Sequence, residues 1–476
     1  MIKRVPLLTA SLILSLTLLF TGCSNQYIDE VDRGLGYNYV PGHPELRAAA
    51  SGQIQQDNTP IVIVTGDLVK GSLIYTEKEN AYRASFNIEI RIREASQENG
   101  AIGKREIEDI IIGEVSTITN SQQVYRFEEI FEVSPGKYDI QIIVTDKNSG
   151  KRSIQNLSTQ IPDPQDQISH ITEIRILGKN TDRDQSSFQQ ATTYDIPSRI
   201  DSLKFTFQVT NNKPNQPIEL TSRLLKFRAD TSIARPMFFN NYSSSSIQHQ
   251  GIDYDEYEVI QESSRLLEQP GSVIIEFSFS DLDRGNYRLE VSSELDSENE
   301  LYKARDFSIK SENYPSLKSP KELARPLYYL MNEDEYKELM SINDPKKLKS
   351  AIDRFWLSNI QNSNMAKNVI SQYYQRVEDA NKQFSNFKEG WKTDPGMMYI
   401  LFGPPIYSDQ FSDQMFWSYS YNQDDPERNF LFVRPKLKNR YFPFNHYILQ
   451  RNSYYHTVYY QQTERWRTGT ILNTNL

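Results

Sequence analysis

The stretch Gly390–Pro405, GWKTDPGMMYILFGPP, frames six consecutive apolar residues between a Pro-Gly pair and a Gly-Pro-Pro sequence. The pair Pro395-Gly396 suits the centre of a type II turn, because proline fixes φ and glycine accepts the positive φ that follows. Asp394 can brace that turn with its carboxylate. Gly403-Pro404-Pro405 removes two backbone donors and ends the segment. We therefore predict a hairpin in which Met397–Phe402 is a central strand covered on both faces.

Helical patterns precede this stretch and predict two or three helices between Ser319 and about Phe387. Asp344 before Pro345 places a capping residue ahead of an N1 proline. Apolar residues recur at helical spacing in two of the predicted helices and form core-facing stripes. The stripes are Leu348, Ile352, Phe355, Trp356 and Ile360 in one helix, and Val369, Tyr373, Val377, Ala380 and Phe384 in the next.

Period-two patterns dominate the chain before the helices. Phe86, Ile88, Ile90 and Ile92 alternate with polar residues, which is typical of a half-buried strand. Short strands with turn punctuation predict two immunoglobulin-like β-sandwiches, over residues 60–165 and 169–310. PGKYDIQI at 135–142 is similar to RGNYRLEV at 284–291, which favours a tandem pair of similar sandwiches over chance similarity.

The N-terminus has the features of a bacterial secretory leader. Lys3 and Arg4 precede an apolar run that is shorter than the ~20 residues needed to span a bilayer, so we expect residues 1–22 to be a processed signal peptide. Phe20-Thr21-Gly22-Cys23 resembles a lipobox, which implies lipidation of Cys23 and stable membrane attachment. Serine at position 24 favours the outer membrane, on the periplasmic or the external face. Residues 23–59 show no sustained period and are interpreted as a tether.

Composition limits the partners and the chemistry. The 476 residues predict roughly three domains at about 150 residues each. A formal charge of −9, from 53 basic and 62 acidic residues spread along the chain, predicts that nucleic acid is not a partner. The five histidines are scattered and no nucleophile or phosphate-loop motif occurs, so no metal, cofactor or catalytic residue is predicted.

The C-terminal third resembles a known family. Arg354-Phe355-Trp356, Tyr374–Phe384, Gly390-Trp391-Lys392-Thr393-Asp394 and the Tyr399–Pro405 segment are similar to the GWxTD domain, over roughly residues 314–476. The resemblance implies an α+β fold and a lipoprotein of Bacteroidetes-type bacteria, with Gly390, Trp391, Thr393, Asp394, Gly403 and Pro404 as motif residues. It implies no established activity. The commoner pattern has Arg and Asp where this chain has Pro395 and Ile406, which favours a structural role for the motif.

We thus expect a multidomain envelope lipoprotein with two all-β sandwiches and an α+β GWxTD domain. Its predicted role is non-catalytic binding or scaffolding of other envelope proteins. One alternative is a hydrolase of envelope polymer with Asp394 or Glu378 in a cleft. Another is a glycan-binding module, because all four tryptophans and many tyrosines crowd the last domain. The candidate binding surface for a partner or glycan is Tyr447, Tyr454, Tyr455, Tyr459 and Trp466.

Overall fold

The structure is a computed structural model that describes residues 30–34, 36–78, 81–96, 102–113, 122–165, 168–180, 187–213, 216–240, 251–293, 301–360, 362–422, 425–435 and 443–473. The leader and Cys23 lie outside the described residues, so the processing and lipidation of the N-terminus stay predictions. Within the described part of the chain, no helix combines the length and the apolar character that crossing a bilayer requires.

Two facing sheets make up the first β body. The strand β1 (Val31–Asp32) precedes this body and pairs with the second one. The strands of the first body are β2 (Leu46–Ile54), β3 (Pro60–Val69), β4 (Thr76–Lys78), β5 (Ala81–Glu94), β6 (Gly103–Gly113), β7 (Val124–Glu132), β8 (Gly136–Asp146) and β9 (Arg152–Ile161). One sheet has the order β2-β3-β7, and the other has the order β4-β5-β8-β9 with β6 also paired to β5. Alternating apolar residues of both sheets share one core, as the period-two pattern predicts.

The second β body also has two sheets around one core. Its strands are β10 (His170–Ile171), β11 (Arg175–Lys179), β12 (Gln189–Gln190), β13 (Asp195–Pro197), β14 (Ser202–Asn211), β15 (Ile218–Ala229), β16 (Ile252–Leu267), β17 (Gly271–Ser280), β18 (Gly285–Ser293) and β19 (Leu301–Lys310). One sheet has the order β10-β14-β11-β12 with β17 paired to β14. The other has the order β1-β19-β18-β15-β16 with β13 paired to β19.

The repeated sequence signature corresponds to a repeated local structure. Tyr138 in β8 and Tyr287 in β18 are both buried. Each hydroxyl donates a 2.7 Å hydrogen bond to the carbonyl four residues earlier, on Ser134 and Asp283 respectively. The similarity between 135–142 and 284–291 therefore reflects the same turn and strand start in the two β bodies.

The predicted tether is wrong where the structure describes strands within it. Residues 46–54 form β2, which pairs antiparallel with β3 along its full length. Small residues hid this strand, because Ala48 and Ser51 are buried without supplying an obvious apolar alternation. Ahead of it, β1 pairs in parallel with β19. Glu45 accepts a hydrogen bond from Lys382 at 2.9 Å, and Tyr39 donates one to Asp379 at 3.1 Å, so the N-terminal segment is fixed to the last domain.

Among its described residues, the C-terminal domain contains six α-helices and a four-stranded sheet. The helices are α1 (Pro320–Ala324), α2 (Glu333–Met340), α3 (Pro345–Asn359), α4 (Ser363–Phe384), α5 (Asp394–Phe402) and α6 (Tyr455–Thr468). The sheet has the order β20 (Tyr407–Gln410), β21 (Gln414–Ser418), β22 (Asn429–Val433) and β23 (Ile448–Leu449). Ala234 and Met237, from the β15–β16 connection, enter the core of this domain.

The helical predictions are confirmed for α3 and α4. Asp344 caps α3 by accepting from the Lys347 amide at 2.8 Å. Both predicted stripes face the core, although Phe355 and Phe384 are only partly buried. The number of helices was underestimated, since residues 319–360 and 362–387, which the structure describes, contain four α-helices rather than two or three.

The predicted hairpin around Met397–Phe402 is wrong, because this segment is the helix α5. All nine of its residues are buried. A helix enclosed by protein on every side needs apolar residues all round, and such a run shows no helical period. Pro395 lies in the first turn, where its missing N–H costs no helical hydrogen bond.

Candidate functional site

Thr393 starts α5. Its side-chain oxygen accepts a hydrogen bond from the Gly396 amide at 3.0 Å and its hydroxyl donates to the Gly390 carbonyl at 2.7 Å. This N-cap satisfies one of the amides that a helix leaves unpaired at its start. The threonine of the motif therefore has a defined structural task, and both of its polar functions are used in the interior.

Two glycines allow the motif to pack directly on backbone. A Cβ atom on Gly390 would lie 1.9 Å from the Ala380 carbonyl oxygen of α4. A Cβ on Gly396 would lie 1.9 Å from the Gly390 carbonyl oxygen. Both contacts are with backbone atoms, so no side-chain movement can relieve them. The close approach of α5, the motif and α4 thus requires glycine at both positions.

Asp394 does not brace its own turn, as the sequence suggested. Its carboxylate accepts two hydrogen bonds from the Arg451 guanidinium, at 2.6 and 2.9 Å, and one from the Leu449 amide at 2.7 Å. Both side chains of the pair are less than a tenth exposed. Burial alone raises the pKa of Asp394, but Arg451 outweighs it and the pKa lies below its ordinary value. Asp394 is therefore a paired, ionised carboxylate that joins α5 to the segment after β23.

Trp391 is held on three sides. Its amide donates to the Asn381 side chain at 3.2 Å, and its carbonyl accepts from the Tyr329 hydroxyl at 2.7 Å. Its indole N–H donates to Glu389 at 3.1 Å. The ring is buried. Trp391 therefore fills the core, as does Trp356 of the predicted stripe in α3.

Glu389 joins the motif to the second β body. Its carboxylate accepts from Arg284 at 2.7 Å and from the Ser311 amide at 3.1 Å, and Lys392 lies 3.2 Å away. Burial raises the pKa of Glu389, yet the neighbouring Lys392 and Arg284 charges hold it well below the usual range. The residue directly before the motif thus acts as an ionic link between two bodies of the molecule.

The end of α5 is equally well satisfied. Gly403 has φ of 86°, a conformation that favours glycine, and ends the helix. Arg376 donates to the Ile400 carbonyl at 3.2 Å, and the Leu401 carbonyl accepts from Gln462 and Trp466. A cation near the carbonyl end of a helix is electrostatically favourable. Pro404, the last motif residue, is exposed and follows directly.

The predicted aromatic binding surface is largely wrong. Trp466 is fully buried, and Tyr447 and Tyr455 are each 5% exposed. Tyr459 is partly buried and donates to the Tyr329 carbonyl at 2.8 Å. Only Tyr454, at 43% exposed, lies at the surface. On α6, the Trp466 ring packs against Tyr373 of α4 and donates to the Leu401 carbonyl of α5. The glycan-binding alternative therefore keeps only Tyr454 of its proposed residues at the surface.

Two further ionisable groups are buried beside the motif. Burial lowers the pKa of Lys388 to about 8, and its ammonium donates to the Ser232 carbonyl at 3.0 Å. Burial also lowers the pKa of His446 to about 3, with the Lys388 charge acting in the same direction. The His446 ring contacts the Asn386 side chain at 3.2 Å. Because its pKa is about 3, His446 is neutral near pH 7. Glu378, the other candidate carboxylate, accepts from the Leu317 amide at 3.0 Å.

A cavity of about 600 Å³ lies where the N-terminal segment, α4 and the β20–β21 hairpin meet. We call it the junction cavity. Its walls combine aromatic and polar residues, among them Tyr39, Phe384, Trp417, Pro404, Ser408 and Gln410. Asp394 does not line it, whereas Thr393 and Pro395 do. The cavity thus reaches the motif at Thr393, but it does not contain the motif carboxylate.

The hairpin β20–β21, residues 407–418, borders this cavity and is named the edge hairpin. All four residues of β20 are exposed. Tyr407 and Phe411 are each 55% exposed and Tyr421 is 81% exposed, although apolar rings usually avoid such exposure. In the described part of the chain β20 pairs with β21 alone, so it is an edge strand. No group of three or more metal-ligating side chains occurs among the described residues.

Sequence reasoning missed Arg451, Glu389, Asn381 and the edge hairpin. Arg451 stands between Gln450 and Asn452 without any pattern, and it meets Asp394 only through the fold. The N-cap of α5 was visible, however. Thr393 followed by an acid and a proline is the usual start of a helix.

Comparison with known proteins identifies the last domain. The family model of the GWxTD domain matches residues 291–468, starting within β18 and thus earlier than the predicted boundary at 314. No curated protein matches the chain.

Solved structures are similar to parts of the chain. Red sea bream transglutaminase has 8% identity and a TM-score of 0.19 over 56% of this chain and 31% of its own. Salmonella α2-macroglobulin reacted with methylamine has 14% identity and a TM-score of 0.19 over 59% of this chain and 17% of its own. Trypsin-activated α2-macroglobulin from Escherichia coli has 11% identity and a TM-score of 0.17 over 56% and 17%. The chain spans less than a third of each of these structures.

Proposed function

Because this chain is a GWxTD domain-containing protein, we propose that it is an outer-membrane-anchored lipoprotein and a non-catalytic component that binds or scaffolds other envelope proteins. The anchor in this proposal is lipid on Cys23, and the protein faces the periplasm or the medium. The bacterial source is proposed to be of the Bacteroidetes type, on the resemblance described above.

One observation carries the non-catalytic part of the proposal: the polar groups of the motif are already used inside the protein. Thr393 caps a helix, Asp394 is paired with Arg451, and Glu389, directly before the motif, is paired with Arg284. A general acid or base needs access to its substrate, and a nucleophile needs a neighbouring base. The motif of this chain provides neither, whereas its arrangement suits a domain that holds several bodies in a fixed geometry.

The β bodies fit the same role. We interpret each as an immunoglobulin-like sandwich, supported by two facing sheets and by a tyrosine hydroxyl bonded to a nearby backbone carbonyl, which is a hallmark of such folds. The ionic link from Glu389 to Arg284 and the fixed N-terminal segment would make them rigid spacers rather than a flexible string. A rigid protein with an exposed edge strand can position a partner at a defined distance from the membrane.

The test is crosslinking in cells followed by affinity recovery and mass spectrometry of the full-length protein. The proposal expects a defined set of envelope proteins, recovered with the intact chain and lost with a Cys23→Ala variant that is not lipidated. Metabolic labelling with a radioactive fatty acid checks the anchor itself. Recovery of no partner in either variant, or turnover of cell-wall fragments by the purified chain, would overturn the proposal.

A further inference from the structure

The edge hairpin and the junction cavity together form a site beside the motif, of which Thr393 and Pro404 line the cavity. The side chains of Ser408 and Gln410 in β20 line the cavity, as do Met415 and Trp417, their partners in β21. Tyr407 and Asp409 alternate with them and so belong to the other face of the hairpin. One face of β20 thus overlooks an aromatic cavity, and the other carries an exposed ring and an exposed carboxylate.

The backbone of β20 is open on one side. The Phe411 amide donates to the Gln414 carbonyl at 2.8 Å, which closes the hairpin. In an antiparallel pair, alternate residues direct their N–H and C=O groups to the same neighbour. Residues 407 and 409 therefore pair with β21, while Ser408 and Gln410 direct their backbone donors and acceptors away from it. The backbone of an extended peptide chain can form hydrogen bonds with these unpaired donors and acceptors along the edge of β20.

Charge defines the ligand further. Asp409 is exposed, and Asp413 is exposed in the turn of the same hairpin. Within the described residues, neither carboxylate has an ion-pair partner. An opposite charge directly across a strand pair is favourable, whereas a like charge is not. A strand added beside β20 would therefore gain from a lysine or arginine facing Asp409.

We propose that β20 binds an extended segment of a partner protein by strand addition, with a basic residue facing Asp409 and alternate apolar side chains entering the junction cavity. The cavity of about 600 Å³ is large enough for one or two such side chains. Backbone hydrogen bonds at Ser408 and Gln410 supply affinity, and Tyr39, Phe384 and Trp417 select the apolar side chains. This inference rests on the proposed binding function and names the surface and the ligand class.

The experiment pans a phage-displayed library of random peptides against the immobilised full-length chain. Enriched peptides should alternate apolar residues and carry a lysine or arginine. Ser408→Pro removes an edge donor that no intramolecular strand bond uses, so it should weaken binding at least about tenfold. Asp409→Lys should weaken it similarly, while Glu338→Lys, a charge reversal at an exposed position of α2, should leave it unchanged.

A second measurement does not depend on any variant folding. The selected peptide is N-methylated at successive amides and tested on the unaltered chain. Methylation of the amides that face β20 should abolish binding, while methylation of the alternate amides should preserve it. Equal loss at every amide, or peptides that bind Ser408→Pro as tightly as the unaltered chain, would overturn the site.

The two proposals fail separately. If crosslinking in cells recovers envelope partners that persist in Ser408→Pro, the scaffolding function stands and the β20 site is wrong. If no envelope partner is recovered, the scaffolding function falls whatever the peptides do.

Discussion

The motif segment 390–403 and the edge hairpin 407–418 follow each other in the chain but use their polar groups in opposite ways. In the motif, Thr393 and Asp394 are buried and fully engaged with other parts of the protein. In the hairpin, Asp409 and the outer backbone groups of β20 face outward. The most distinctive sequence of this domain is thus structural, while the inconspicuous hairpin after it has the exposed edge.

The largest effect is expected where the motif meets backbone. Gly390→Ala places a Cβ against the Ala380 carbonyl, so we expect a loss of at least about 5 kcal/mol, enough to prevent stable folding. Gly36→Ala is the control, because the nearest atoms to its Cβ would be the ends of two side chains, Gln155 at 3.3 Å and Leu157 at 3.4 Å, with the Asn156 carbonyl oxygen no closer than 3.9 Å. Urea unfolding followed by circular dichroism measures both. A folded Gly390→Ala protein of normal stability would remove the basis for calling the motif structural.

The buried ion pair comes next. Arg451→Met leaves the Asp394 carboxylate buried without its cation and should cost about 3–5 kcal/mol. The double variant Asp394→Asn with Arg451→Met removes both charges, so it should recover part of that loss. A double-variant cycle in urea unfolding measures the coupling. If the single variant loses less than about 1 kcal/mol, the pair does not fix α5 and Asp394 is open to another role.

His446 makes the region around the motif sensitive to acid. Its pKa is about 3 in the folded protein and near 6.5 when unfolded, so the unfolded state binds the proton first as the pH falls. The stability that this histidine contributes is fully present above pH 6.5 and is lost as the pH falls toward 3. Between pH 7 and pH 5 we expect a loss of roughly 2 kcal/mol.

Substitution of His446 separates its contribution to the pH dependence of stability from that of other groups. Urea unfolding at a series of pH values should show a shallower profile for His446→Gln, while the exposed His456→Gln serves as control and keeps the original slope. An unchanged slope in His446→Gln would assign the acid sensitivity to other groups.

A smaller effect is expected at the helix cap. Thr393→Ala removes the oxygen that accepts from the Gly396 amide and should cost about 1–2 kcal/mol. Thr393→Ser keeps the oxygen and should retain most of the stability. Thermal unfolding measures both variants. If the cap matters, only the alanine variant loses stability; if the methyl group matters, the serine variant loses as much as the alanine variant.

The smallest effect on stability is expected in the edge hairpin. Phe411→Ser, at a position 55% exposed, should change the free energy of unfolding by no more than about 0.5 kcal/mol. Phe402→Ser in α5, where the ring is 6% exposed, should lose at least about 3 kcal/mol. The same unfolding assay compares them. Similar losses in both would mean that the hairpin is part of the core and not a free surface.

The fold was predictable where a periodic pattern reports a single buried face. Ile88 and Ile90 alternate with charged residues in β5, and Ile352 and Trp356 recur at helical spacing in α3. The prediction failed for α5, because an apolar run buried on all sides has no period and fits a central strand equally well. It failed for β2, where alanine, serine and glycine fill a tightly packed position without looking hydrophobic.

The candidate site was less predictable than the fold. Sequence identifies Asp394 but not Arg451, which lies 57 residues away and meets it through tertiary packing alone. Composition counts the C-terminal rings but cannot tell that Trp466 is buried while Tyr421 is exposed. The edge position of β20 could not be predicted either, since its sequence gives no sign that one side lacks a neighbouring strand.

The fixed N-terminal segment has a consequence for how the chain reaches its native state. Tyr39 finds Asp379 340 residues later in the sequence, and Glu45 finds Lys382 337 residues later. Contacts of such large sequence separation raise the contact order and slow folding, because a long loop must close, at a cost in entropy, before these contacts can form. During synthesis the segment emerges long before α4 exists, so it must stay unpaired until the last domain is made. We therefore expect the docking of the N-terminal segment onto the last domain to be a late, rate-limiting step of folding.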